Sequence, residues 1–220
     1  MREAFRCSYH GGPNQVSHRV CEVFEIGVGR TGSRSVARAA CWLGLEVRHG
    51  FSGCPGCIQD AVWKQRQGRC DLDLYQTCEY SGNVAAIHWP DLVESHPRAK
   101  WILTVRPVAS WLASMQTNFQ VQKHLQPAHR DSWTQLYLQH MWGGVENLAR
   151  IRQRYLEYLA RVRLHFHQFD NLLELNVFTE PSSQLWRRLA AFLDRPLPDP
   201  LPEFPRIKKC RVLYSSLEVR

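Results

Sequence analysis

The sequence predicts an α/β fold of three layers, a central parallel sheet covered by helices on both faces. Three observations carry that expectation. Short apolar strands alternate with helical segments along the chain, the strands lack the polar alternation of a half-exposed sheet, and a glycine-rich break follows the first strand directly. With 220 residues, 44% of them hydrophobic, the chain can bury one sizeable core, and no Pro/Ser-rich linker divides it. A single domain spanning residues 1–220 is expected, with a cysteine-rich insertion at about 50–82.

The first strand is the run EVFEIG at residues 22–27. In the helix that follows, Val36, Ala39, Ala40 and Leu43 recur at helical spacing and Gly44 closes the segment. LEVRH, residues 45–49, is a second short strand. The insertion has weak periodicity, and residues 85–97 look helical in their second half. KWILTV, residues 100–105, is the clearest strand, apolar and β-branched; Pro107 then suits the first turn of the next helix. From Asp131 to about Arg161 the pattern is helical, with Gly143 and Gly144 as a bend or break. LLELNV is a late strand at 172–177, and a last helix begins at Pro181 and ends before Pro196.

The formal charge of +8 favours an anionic partner, but charge alone does not choose among a nucleotide, a nucleic acid and a sulfated polymer. The first twenty residues hold no apolar run of signal-peptide length, and nowhere do eighteen uncharged apolar residues follow one another. The expectation is a soluble, cytoplasmic protein without a membrane span. Eight unevenly placed cysteines in a chain of this size do not require a disulfide framework, so most are read as reduced thiols.

Ligands of parallel sheets bind beyond the carboxyl ends of the strands, where the loop GVGRTGSRS lies. A strand–glycine loop–helix unit turns backbone N–H groups and the positive end of the helix dipole toward a phosphate. Three chemistries use that unit. A Walker A loop counted from Gly27 reaches Gly32 in register but meets Ser33 where its lysine belongs. Gly27, Gly29 and Gly32 match the dinucleotide fingerprint G-x-G-x-x-G; the acid expected for a ribose is missing, although Arg48 suits a 2′-phosphate, so an NAD(P)-binding oxidoreductase stays open. The third pattern is a basic residue followed by small and hydroxylated ones: Arg30, Thr31, Gly32, Ser33, Arg34, Ser35. There the sequence resembles the sulfotransferase family, whose 5′-phosphosulfate loop places Lys or Arg at the Arg30 position.

A second segment extends the resemblance. The family reads the 3′-phosphate of 3′-phosphoadenosine 5′-phosphosulfate with an arginine at a strand end and a serine eight residues later, and KWILTVRPVASWLASM supplies Arg106 and Ser114 at that spacing. The C-terminal segment QLWRRLAAFLDRPLPDPLPEFPRIKK is also similar to a small sulfotransferase subfamily. The resemblance implies a P-loop-type sulfotransferase fold and transfer of a sulfuryl group from that donor to a hydroxyl or amine acceptor. It places Arg30 at the bridging oxygen, Thr31 to Ser35 around the 5′-phosphate, and Arg106 and Ser114 on the 3′-phosphate. The expected partners are this nucleotide donor and an acceptor of unassigned identity, rather than a nucleic acid; a module that binds nucleotide without turnover is the non-enzymatic alternative. Arg206 to Lys209 read as a solvated basic tail.

Sulfuryl transfer needs a base for the acceptor proton and a cation for the leaving oxygen, and by this logic no metal. His49, at the end of the second strand, is the candidate base, with His88 and Glu79 as runners-up. The Lys-Thr-His-Leu-Pro segment of better-known cytosolic members is absent, so their base is not transferred directly to a position here. In the insertion, Cys54, Cys57, Cys70 and Cys78 offer four thiolates for a structural zinc, a redox pair, or simple thiols; the spacing of the second pair departs from a zinc ribbon. The insertion follows the second strand, where the family builds the acceptor side of its cleft.

Overall fold

The computed structural model describes residues 22–49, 80–82, 85–124, 141–143 and 147–207. The elements are β1 (Val23–Glu25), α1 (Ser33–Trp42), β2 (Val47–His49), β3 (Tyr80–Gly82), α2 (Ala85–Ser95), β4 (Lys100–Thr104), α3 (Val108–His124), α4 (Leu148–Phe166), β5 (Leu172–Leu175) and α5 (Ser182–Phe192). The five strands form one parallel sheet in the order β2-β3-β1-β4-β5. The chain therefore leaves β1 toward one edge and later returns to its other side. The β1 loop stands at that switch point, where open α/β sheets bind ligands. The order is not the 3-2-1-4-5 of a dinucleotide-binding sheet, since β3 and β4 flank β1.

Alternation along the strands makes the three layers. Phe24, Trp101 and Leu103 enter a core with Trp89, Leu92, Trp111, Tyr155 and Val162, under α2, α3 and α4. Val23, Ile102, Leu173 and Leu175 point the other way, into a core with Val36, Ala40, Leu185, Trp186 and Leu189 under α1 and α5. Both faces being buried, the strands read as continuous apolar runs. Burying a side chain such as Ile102 contributes roughly 1.5–3 kcal/mol.

Two elements differ from expectation. Residues 80–82 form β3, a paired central strand at the end of what read as insertion; three residues containing a terminal glycine give no usable periodicity. α2 is helical from Ala85 onward although it contains Pro90. Gly143 does break the long helical stretch, with φ +69°, and α4 restarts at Leu148, where Asn147 Oδ1 accepts from the amide of Arg150 at 3.0 Å, and runs to Phe166. Residues 50–79, with Glu79 and Cys54, Cys57, Cys70 and Cys78, lie outside the described residues, as do Lys208 and Lys209. Cys41, the one cysteine among the described residues, is disulfide-bonded, which departs at that position from the reading of reduced thiols.

Candidate functional site

The floor of the site is a buried polar network at the carboxyl ends of β1 and β4. Glu25 is fully buried, and its Oε1 accepts from the Gly27 amide at 2.8 Å and from Thr104 Oγ1 at 2.7 Å. Thr104 Oγ1 also lies 2.6 Å from Thr31 Oγ1, which donates to the Val28 carbonyl at 2.5 Å. Gly27 has no room for a side chain: a Cβ there would come within 1.8 Å of Thr104 Oγ1. The loop above is fixed by two more donors, Tyr158 Oη to the Ile26 carbonyl at 2.5 Å and Trp111 Nε1 to the Gly29 carbonyl at 3.0 Å. Arg30 and Gly32 take φ of +76° and +99°, a left-handed geometry that costs a non-glycine residue about 1–2 kcal/mol.

Two guanidiniums converge on this loop. Arg30 Nε donates to Ser114 Oγ of α3 at 3.0 Å. Arg106 follows β4; its Nη1 donates to the Arg30 carbonyl at 3.3 Å and its Nε to Ser110 Oγ at 3.1 Å. Tyr155 Oη takes the Arg106 amide and donates to its carbonyl, each at 3.1 Å, while the guanidinium lies 4.1 Å from the ring centroid of Phe178. Burial, then the charges of Arg106 and Arg34, press the Arg30 pKa downward, and burial does the same to Arg106. Among the described residues none of the three arginines has a carboxylate partner. They remain cationic, because a guanidinium does not deprotonate in a protein.

The helix start sorts the hydroxyls. Thr31 and Ser35 turn inward: the Thr31 amide donates to the Val28 carbonyl at 3.3 Å, and Ser35 Oγ accepts from the Ile207 amide at 3.1 Å. Ser33 Oγ lies 3.0 Å from His49 Nε2, and Arg34 is exposed. The amides of Ser33 and Arg34 stand in the first turn of α1, where no intrahelical carbonyl is available. The site thus presents first-turn amides and three arginines toward one place, and it can hold a strongly anionic group. Among the described residues no cluster of His, Cys, Asp and Glu could hold a metal.

The sulfotransferase domain family matches this chain over residues 22–211. The chain belongs to the sulfotransferase family. It is also 28% identical over 220 residues, 84% of this chain and 80% of the relative, to Ava biosynthesis cluster protein M of Aspergillus versicolor. The matched span includes the whole sheet and Arg30, Arg34 and Arg106. No helix among its described residues is long and apolar enough to cross a membrane.

Within the sulfotransferase domain, Arg30, Gly32, Ser33, Arg34, Arg106 and Ser114 come together at the β1 and β4 ends, but Ser114 bonds Arg30, and Ser110 bonds Arg106. His49 joins them through Ser33. His88 is fully buried in α2. Sequence reasoning missed Glu25, Thr104, Ser110, Tyr155 and Phe178. Only Ser110 had a signal, four residues after Arg106 in the first turn of α3; Glu25 adjoins the loop without one, and the others meet it from remote elements. Phe178 is placed by an Asx turn, its amide on Asn176 Oδ1 at 3.1 Å, and the Asn176 amide bonds Glu180 Oε1 at 2.6 Å.

Proposed function

We propose that this domain transfers a sulfuryl group from 3′-phosphoadenosine 5′-phosphosulfate to a hydroxyl or amine of an acceptor. The observation that carries the reading is the close approach of Arg30 and Arg106 beside the β1 loop, with no carboxylate among the described residues to neutralise them. Like charges held together in a half-buried site oppose folding unless an anion joins them, so the site is preorganised for a highly charged ligand. A donor with phosphates at both its 5′ and 3′ positions fits two separate guanidiniums better than a monophosphate does.

In this reading the first-turn amides, Ser33 and Arg34 hold the 5′-phosphate, with Gly32 allowing the close approach and Thr31 and Ser35 fixing the loop from below. Arg106, oriented by Ser110, Tyr155 and Phe178, takes the 3′-phosphate, and Ser114 accepts from Arg30 and tethers it. The acceptor oxygen or nitrogen attacks sulfur in line. The new bond to sulfur forms as the bond from sulfur to the bridging oxygen breaks, and the acceptor's proton passes to a base at the cleft or to solvent water. The electron pair stays on the 5′-phosphate, giving 3′-phosphoadenosine 5′-phosphate, and Arg30 stabilises that charge as it develops. No step calls for a metal.

The relative's name places that protein in a biosynthesis cluster, which favours a small-molecule acceptor for the first trials. Incubation with the sulfate donor and a panel of phenols, alcohols and amines should yield a sulfated product by mass spectrometry. Donor binding with no transfer across the panel would favour the non-catalytic reading instead.

A further inference from the structure

The loop between β5 and α5 touches the anion loop and Arg106 together. It leaves the sheet beside β4, where the Val105 amide donates to the Leu175 carbonyl at 2.9 Å, one residue before Arg106. Its side chains then divide. Val177 is buried against the anion loop, so that a Cβ on Gly32 would come within 2.2 Å of Val177 Cγ2. Phe178, 41% exposed, lays its ring against the Arg106 guanidinium, 4.1 Å from Cζ to the centroid. Behind the loop stands Glu180, whose side chain is 18% exposed. Its Oε1 accepts from the Asn176 amide at 2.6 Å, and its Oε2 pairs with Arg188 Nη1 of α5. Arg188 is itself anchored to β5, with Nη2 donating to the Glu174 carbonyl at 2.7 Å. We infer that Glu180 is a positioning residue for the donor: clamped between Arg188 and the Asn176 amide, it holds the 176–180 loop so that Phe178 keeps Arg106 aimed at the 3′-phosphate. This role deepens the sulfuryl-transfer reading and rests on it.

The path from Glu180 to Arg106 is continuous. Asn176 receives the clamp through its amide and passes it on through its other polar atoms: Oδ1 accepts from the Phe178 amide at 3.1 Å, and the carbonyl accepts from the Thr179 and Glu180 amides at 3.3 and 3.0 Å. That turn fixes the Phe178 backbone and with it the ring. The Arg106 guanidinium is then held on its edge by Ser110 at Nε and the Arg30 carbonyl at Nη1, and on its face by Phe178. A planar fork held on edge and face keeps its remaining N–H donors in one direction, which a bidentate contact to phosphate requires. Glu180 does this without cancelling the charge of Arg106, because its own charge is matched by Arg188. The anion loop has separate supports in Glu25, Trp111 and Tyr158, and Val177 stays seated in the core under α1 and α5. Loss of Glu180 is therefore felt at the 3′-phosphate rather than at the 5′-phosphate.

Calorimetric titration of the 220-residue chain with 3′-phosphoadenosine 5′-phosphate and with AMP tests this. The proteins are the wild type, Glu180→Ala, Asn176→Ala, Phe178→Leu and the Glu180→Ala/Phe178→Leu double variant, each melted to establish that it is folded. A cation–π contact at a half-exposed site corresponds to roughly threefold to fivefold in affinity, and Glu180→Ala should lose about that much for the bisphosphate and less than about twofold for AMP. Asn176→Ala breaks the turn while leaving the ion pair in place; it should show the same split, and it decides the matter if Glu180→Ala does not fold. The double variant should lose no more than Phe178→Leu alone, because both changes act through the same ring. Unchanged bisphosphate affinity in the folded single variants, equal losses for the two nucleotides, or losses that add in the double variant overturn the role of Glu180. A folded wild type that fails to bind the bisphosphate overturns the donor reading itself.

Discussion

Arg30 Nε donates to Ser114 Oγ at 3.0 Å across 84 positions of sequence, tying the β1 loop to the second turn of the helix after β4. The bond fixes the Arg30 side chain, which in the proposed reading faces the leaving oxygen. Arg30→Ala should therefore lower turnover by roughly a hundredfold or more with a smaller loss of bisphosphate affinity, and lysine should recover part of the rate. Ser114→Ala removes only the tether and should cost less turnover than Arg30→Ala. Steady-state kinetics on any working acceptor checks both; an Arg30→Ala enzyme with unchanged turnover would dispose of its catalytic role.

In the proposed reading Arg106 holds the 3′-phosphate, a group that does not react. Arg106→Ala should raise the donor KM by on the order of tenfold to a hundredfold while lowering kcat much less, because uniform binding is lost. Phe178→Leu keeps the apolar bulk but removes the ring face 4.1 Å from the guanidinium, so its effect should run in the same direction and be only a few-fold. A dominant kcat effect in either variant would contradict the assignment.

Gly27→Ala tests the floor. The added methyl would overlap Thr104 Oγ1 and sit 2.4 Å from Glu25 Oε1, with no flexible chain end able to move aside. Overpacking together with a broken buried network should destabilise the domain by roughly 2–4 kcal/mol, read as a lowered midpoint in urea. An unshifted midpoint would mean the network contributes little.

The layered fold was legible because β4 carries Trp101, Ile102 and Leu103 in succession, which serve both cores, and because α1 and α5 keep clear helical spacing. β3 was not, since its pairing with β1 and β2 comes from tertiary position and three residues show no period. That Arg30 and Arg106 lie side by side beyond the strand ends was legible from residue type and place. The partners of each were not. Glu25 read as one polar letter in an apolar strand, and its ligation of Gly27 and Thr104 depends on β1 and β4 being neighbours. Thr31 and Ser35 matched the motif by composition, while the backbone turns both hydroxyls inward.

His49 gives the protein a defined acid sensitivity. With its pKa lowered to about 4 in the folded state, from 6.5, the unfolded chain binds a proton that the folded chain refuses. That contribution to stability is complete above about 6.5 and is lost as pH falls toward 4, on the order of 3 kcal/mol over the window. His49→Gln should flatten the pH dependence of the unfolding free energy between those limits. An unchanged slope in denaturant titrations across that range would rule out a buried neutral His49.

The central claim is that Arg30 and Arg106 read two separate anionic groups of one nucleotide, and a calorimetric comparison of 3′-phosphoadenosine 5′-phosphate with AMP tests it most directly, with NADP alongside. Loss of the 3′-phosphate removes charge-assisted hydrogen bonds worth about 2–4 kcal/mol, so AMP should bind roughly thirtyfold to a thousandfold more weakly. Arg106→Ala should abolish most of that difference. Equal affinities of the bisphosphate and AMP for the wild type, or tight NADP binding without bisphosphate binding, would contradict the account.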